Sequence, residues 1–107
     1  MPQFDVHRNK GTLRDAIPFV VIVQSSLFDG YKRRVVVPLV RRTVLPLQAK
    51  SAGQRLNPEF LIEGMAVVLH PLDMVSVASD QLGQYVTSLL ESGQSITDAL
   101  DELLTRS

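Results

Sequence analysis

Phe19-Val20-Val21-Ile22-Val23-Gln24-Ser25, followed across Asp29-Gly30 by Arg33-Arg34-Val35-Val36-Val37-Pro38-Leu39, carries the strongest structural signal in the sequence. Two β-branched runs flank about eight residues that carry turn formers. That pattern describes an antiparallel strand pair with a loop slightly longer than a tight hairpin. The first run, residues 19–24, is nearly all apolar, as in a strand buried on both faces. Paired arginines open the second run. Pro38 lacks a backbone donor, so that end is expected at a sheet edge or a bulge.

Outward from this pair, residues 3–7 alternate as a short strand with Phe4 and Val6 on one face. Asn9-Lys10-Gly11-Thr12 reads as a turn, and a polar connection leads to Pro18. Beyond Arg41-Arg42 comes an apolar piece, residues 44–47, broken by Pro46. Residues 48–54 (QAKSAGQ) are small and polar and read as a loop. Leu56-Asn57-Pro58 restarts order, because a residue before proline is pushed to extended backbone. Residues 60–62 and 65–69 flank Glu63-Gly64, a hairpin turn in which Gly64 takes positive φ at little cost. Pro71 ends that strand, and residues 75–78 supply another.

After Ser79 the period changes. Leu82, Tyr85, Val86, Leu89 and Leu90 recur at the spacing of a helix with one apolar stripe. Gly93 interrupts it. Ser95 then caps a final helix with Ile96, Ala99, Leu100, Leu103 and Leu104 on one face and Asp98 in its first turn. Strands followed by terminal helix, without β-α alternation, predict one α+β domain over residues 1–107.

Eleven basic residues balance eleven acidic ones, so no global field draws the chain to nucleic acid or to an anionic membrane. With no cysteine, a disulfide framework and a thiolate metal site are excluded. The amino-terminal residues are mixed and polar, unlike a signal peptide. No apolar run reaches the roughly 18–20 residues a membrane helix needs. The expectation is a cytoplasmic protein without membrane contact. His7 and His70, about sixty residues apart, suit structural roles better than a metal or acid–base site. Hydrolase, phosphate-loop and dinucleotide motifs are absent. Glu59, Glu63 and Asp73 lie near strand ends and Asp98, Asp101 and Glu102 on a polar helix face, as solvated carboxylates do. No catalytic residue, metal or cofactor is therefore expected, and the chain is not expected to be an enzyme. Lys32-Arg33-Arg34 and Arg41-Arg42 bracket one strand, either as a stripe for phosphates or as edge charges that block aggregation.

Gln3-Phe4-x-Val6, Phe19-Val20-x-x-Val23-Gln24-Ser25, Asp29, Arg33-Arg34-x-Val36-x-Pro38-Leu39, Leu56-x-Pro58, Ile62 and Asp73-Met74-x-Ser76-Val77 stand in the order of one known family. Gly83, Val86, Leu89, Ile96, Ala99 and Leu100 continue it. Together they resemble the CcdB family, toxins of bacterial toxin–antitoxin modules that poison DNA gyrase. The resemblance implies an SH3-like antiparallel β-barrel with a small accessory sheet and a C-terminal α-helix, assembled as a homodimer. It further implies binding to the gyrase A subunit on cut DNA and neutralisation by a CcdA-like antitoxin that folds on binding. Operator DNA would be bound, and the operon repressed, only by the toxin–antitoxin complex.

Carried over by resemblance, the gyrase-facing residues are Leu27, Phe28, Asp101, Leu104, Thr105, Arg106 and Ser107. Leu27-Phe28 stands where the family has two exposed isoleucines, and is either an interaction site or a pair folded inward. The chain departs from the family at Leu104-Thr105-Arg106-Ser107, where family toxins carry an aromatic pair and a Trp-Gly-Ile tail. Losing an exposed Trp anchor costs on the order of 2–4 kcal/mol of binding. Antitoxin contacts are expected at Asn9, Lys10, Arg14, Lys50 and Arg55. Three alternatives stay open: a homologue that kept antitoxin binding but not poisoning, a toxin against another topoisomerase, and a ribonuclease on the same barrel. For the last, Arg33, Arg34 and Asp73 are the candidate groups.

Overall fold

The strand opened by Arg33 and Arg34 is the spine of the molecule. The computed structural model describes residues 2–45 and 55–105. In it β3 (Arg33–Arg41) pairs along one edge with β2 (Phe19–Ile22), Val21 lying opposite Val37. The other edge is divided: β6 (Val75–Ala78) takes Arg33 to Val36 and β5 (Met65–Leu69) takes Leu39 to Arg41. β1 (Asp5–Asn9) lies on β2, β7 (Leu82–Ser88) on β1, and β4 (Glu59–Ile62) on β5. Every pairing is antiparallel. The sheet curls into a half-barrel and is followed by a helix, α1 (Gly93–Leu104), which bears out the α+β reading. The accessory sheet expected from the resemblance is joined to the rest, because the β4–β5 hairpin continues the same ladder through β5 to β3.

Alternation along the strands sorts the side chains onto two faces. On one, Val6, Phe19, Val21, Val37, Leu39, Val67 and Leu69 pack with Ile96 and Ala99 of α1 as the main core. On the other, Val20, Val36, Pro38, Val75 and Val77 line a cavity of about 290 Å3 beneath the turn at residues 11–13. Both Val21 and Ile22 are fully buried, so the apolar run does read as a strand covered on both sides. The β4–β5 hairpin turns at Glu63 and Gly64 with φ of 53° and 77°, the two positive values of a type I′ turn.

Several expectations are corrected. Residues 82–88 form a strand, not a helix. The 3.6-residue spacing there is coincidental: Tyr85, Val86 and Thr87 favour extended backbone, and Gly83 is a poor helix residue. Gly83 is there for a close approach, since a Cβ on it would stand 2.6 Å from the Arg8 carbonyl oxygen. Gly93 begins α1 rather than interrupting a helix, for a similar reason: a Cβ would meet the Phe4 ring at 2.6 Å. Ser95 and Asp98 consequently lie inside α1, and Ser92 precedes it without a side-chain cap.

Pro38 is neither in an edge strand nor at a bulge. Its carbonyl accepts from the His70 N–H at 3.1 Å, so its own nitrogen faces that edge, in the gap between β6 and β5. The first strand begins at Asp5, with Phe4 just before it at φ 72°. Phe4 and Val6 nonetheless share the core. Val44, where the apolar piece over residues 44–47 was expected to begin, closes a 3-10 turn, Arg42–Val44, and residues 46 and 47 lie outside the described residues.

Candidate functional site

The loop from β2 to β3 is fixed rather than loose. After Ile22 the chain makes a 3-10 turn, Ser26–Phe28, in which Ser25 Oγ accepts from the Leu27 N–H at 3.2 Å. The Gln24 amide ties both ends, donating to the Phe28 carbonyl at 3.2 Å and accepting from the Val35 N–H at 3.0 Å. Ser26 Oγ in turn accepts from the Gln3 N–H at 3.3 Å. Leu27 is 89% exposed and Phe28 48%, so the pair is not folded inward.

Asp101, Leu104 and Thr105 stand at the far end of α1, all exposed. Thr105 closes the helix: its Oγ1 and its N–H both donate to the Asp101 carbonyl, at 2.8 and 2.9 Å. Arg106 and Ser107 lie outside the described residues. The Ser26–Phe28 turn is tied through Gln3 and Phe4 to Gly93, the opposite end of this 12-residue helix. Such a helix is roughly 18 Å long. Within one chain the two expected halves of the target-facing surface are therefore set apart by about a helix length.

The antitoxin-facing expectation divides as well. Asn9, Lys10 and Arg14 come together on one turn. Asn9 Oδ1 accepts from the Gly11 N–H and its amide donates to the Ile17 carbonyl, at 2.9 and 2.8 Å. Lys10 Nζ donates to the Asp80 carbonyl at 3.1 Å, and Arg14 reaches the Gly11 carbonyl at 3.4 Å. Asn9, Gly11, Thr12 and Leu13 roof the apolar cavity on the second sheet face, a concave feature that residue patterns did not disclose. Arg55 is elsewhere, paired with Glu102 at 3.0 Å and Asp98 at 3.8 Å on α1. It belongs with the helix surface rather than with the 9–14 turn. Lys50 and the rest of the 48–54 loop lie outside the described residues.

The basic stripe of β3 is spent on structure. Arg33 bonds Ser76, Arg41 Nε donates to the Asp15 carbonyl at 3.0 Å, and Arg42 pairs Glu59 at 2.7 Å. Arg34 is buried and Asp73 faces His70 Nδ1 at 3.0 Å, so these ribonuclease candidates each serve a local contact. His7 is buried; its Nδ1–H donates to the Gly83 carbonyl at 2.9 Å and its ring meets Tyr85 edge-on. Burial raises the Asp5 carboxyl above the usual carboxylate range, against the opposing pull of His7 and the amino terminus. Among the described residues no group of three or more His, Cys, Asp or Glu could hold a metal ion, and no helix is long and apolar enough to cross a membrane.

Arg33, Arg34, Pro38 and Gln24, dense in the family pattern, are thus the residues that shape the β2–β3 loop and the spine strand. No curated protein matches the chain. The family profile described as CcdB protein matches residues 3–105, nearly the whole chain. The chain belongs to the CcdB family, whose members are toxins of toxin–antitoxin modules.

Proposed function

We propose that this chain is a toxin that acts as a homodimer on the A subunit of DNA gyrase, stalling the enzyme on cleaved DNA. The observation that carries the reading is the outward Leu27-Phe28 pair on a loop whose backbone is already tied by Gln24 and Ser25. An apolar pair presented on an ordered loop binds without a large ordering cost. The half-barrel is taken as an open form of the SH3-like barrel. Dimerisation suits a domain this small, whose single core is modest and whose sheet has free edges. The antitoxin is assigned to the 9–14 turn and the apolar cavity under it. With that partner the chain represses its own operon in the cytoplasm, and it carries out no catalysis itself.

A second reading has its own support. Thr105 spends both its donors on the helix end and offers no aromatic surface. A chain in that state could retain antitoxin binding while poisoning gyrase weakly. A cleavage assay with purified gyrase separates the two. The proposal expects cleaved-DNA complexes at micromolar toxin. It also expects that Thr105→Trp with Arg106→Gly and Ser107→Ile strengthens trapping by at least tens-fold, the equivalent of about 2 kcal/mol. No trapping by either protein, together with tight binding to the product of an adjacent antitoxin reading frame, would establish the second reading instead.

A further inference from the structure

The chain has no Trp, four Phe and two Tyr. Phe4 and Phe19 are buried and Phe60 packs against the core, which leaves Phe28, Tyr31 and Tyr85 as the exposed aromatic rings. Tyr85 leans on His7. The other two sit on the same loop, ring centroids 5.9 Å apart at 84°, the edge-to-face arrangement that aromatic pairs favour. With Leu27 at 89% and Tyr31 at 67% exposure, residues 27–31 present three large apolar side chains outward from one loop. Behind the pair lies a cleft of about 410 Å3 floored by Val23 and Val35 and walled by Arg33 and Ser76.

Arg34 holds this surface in place. Its side chain, 5% exposed, points into the loop, where Nη2 donates to the Asp29 carbonyl at 2.8 Å. Nη1 donates to the carbonyls of Arg33 at 2.9 Å and of Tyr31. A buried guanidinium is costly unless its donors are met, and breaking its contacts strands a charge. Swinging Tyr31 away would do that, so the cation and the loop shape hold each other.

We infer that Phe28 and Tyr31 are the aromatic anchor of the target-binding surface, and that Arg34 is the positioning residue that presents them. The inference rests on the reading above of the β2–β3 loop as target-facing. It relocates the anchor: the aromatic contact missing from the C-terminal tail is supplied from the loop. Rigid aromatics in a central, water-excluding position carry most interface energy. The exposed Lys32 beside Tyr31 gives the anchor a cationic rim, which selects a protein surface with an apolar centre and an acidic border.

The test uses the full chain and purified gyrase A subunit. Tyr31→Ala should weaken binding by tenfold or more in calorimetry, with the light-scattering mass and the melting midpoint unchanged. Arg34→Lys keeps the charge but loses the fork. It should weaken binding similarly and speed amide exchange at residues 27–31 tenfold or more, while β2 and β3 amides stay protected. Native-like binding by Tyr31→Ala overturns the anchor, as does a fall to monomer mass, which would give the pair to a contact between copies. Exchange that is unchanged, or faster everywhere alike, overturns the role of Arg34. If the native chain binds no gyrase A subunit, the proposed target and the anchor fall together, and the exchange measurement still decides the positioning role.

Discussion

Gly83→Ala is expected to be among the most damaging single-methyl additions in this chain. β7 meets β1 through two register shifts, and at one of them Arg8 alone faces both Gly83 and Gln84, between the pairs His7–Tyr85 and Asn9–Leu82. At this bulge a Cβ on residue 83 would stand 2.6 Å from the Arg8 carbonyl oxygen, 3.0 Å from its Cβ and 3.1 Å from its carbonyl carbon. These are mostly backbone atoms, which cannot rotate aside. Ordinary contact needs a retreat of about 0.8 Å. The same retreat would stretch the His7 Nδ1–Gly83 O bond from 2.9 Å to beyond bonding distance. Overpacking costs about 1–3 kcal/mol and a stranded buried donor about 1–3 kcal/mol. With partial relaxation a loss of about 2–4 kcal/mol follows, which lowers the melting midpoint by on the order of 10–20 °C in a domain of this size. Urea denaturation of Gly83→Ala beside Gly30→Ala measures it, since a Cβ at Gly30 meets nothing within 4 Å. A Gly83→Ala variant within about 0.5 kcal/mol of native, the scatter of neutral surface changes, would refute the reasoning.

Two further outcomes follow from local chemistry. The Asp5 carboxyl titrates above its unfolded value because burial disfavours the charge, so its share of stability is present in acid and lost as pH rises through the folded pKa. Asp5→Asn should therefore raise stability at neutral pH and flatten the pH dependence across the acidic range, read from denaturation midpoints at a series of pH values; a drop at neutral pH would count against it. Glu63 holds φ 53° in the hairpin and pairs with Arg8 at 2.9 Å, both side chains about half exposed. An exposed pair is worth about 0–1 kcal/mol, whereas asparagine suits the first position of a type I′ turn, so Glu63→Asn should be neutral or slightly stabilising by thermal melting, and a loss above 1 kcal/mol would show that the ion pair dominates.

What could be read from residues alone was whatever depended on local chemistry. Glu63-Gly64 turns because only small penalties attach to positive φ there, and the runs on either side pair as expected. The apolar run at residues 19–24 announced burial on both faces, and residues 96, 99 and 100 announced the packed side of a helix. The strand at 82–88 was not legible because Leu82, Tyr85, Val86 and Leu89 fit a helical stripe by chance and masked the extended preference of Tyr85-Val86-Thr87, while the approach of Arg8 to Gly83 is carried by no local pattern. Of the expected site, Leu27-Phe28 was legible as a pair but not its direction, which depends on Gln24 and Gln3 reaching across from other elements. Tyr31 was missed because it looks like an ordinary loop residue until Phe28 stands beside it. Arg34 looked like an edge charge, and its burial is set by where the loop carbonyls fall.

Pro38 bears on how the spine strand finds its place. Val36, Val37, Leu39 and Val40 are all buried, so both faces of that stretch are apolar and a shifted alignment would lose little by side-chain burial. Faces that look alike are where strands slide. A proline nitrogen tolerates a neighbour only where no carbonyl waits for a proton, and the ladder offers that position at the break between β6 and β5. Moving the strand by two residues would keep every side chain on its side and still set the ring against a carbonyl of β6 or β5. The residue that carries no donor is in this way the one that names the alignment, and the threefold valine repeat before it is free to be as featureless as a doubly covered strand demands.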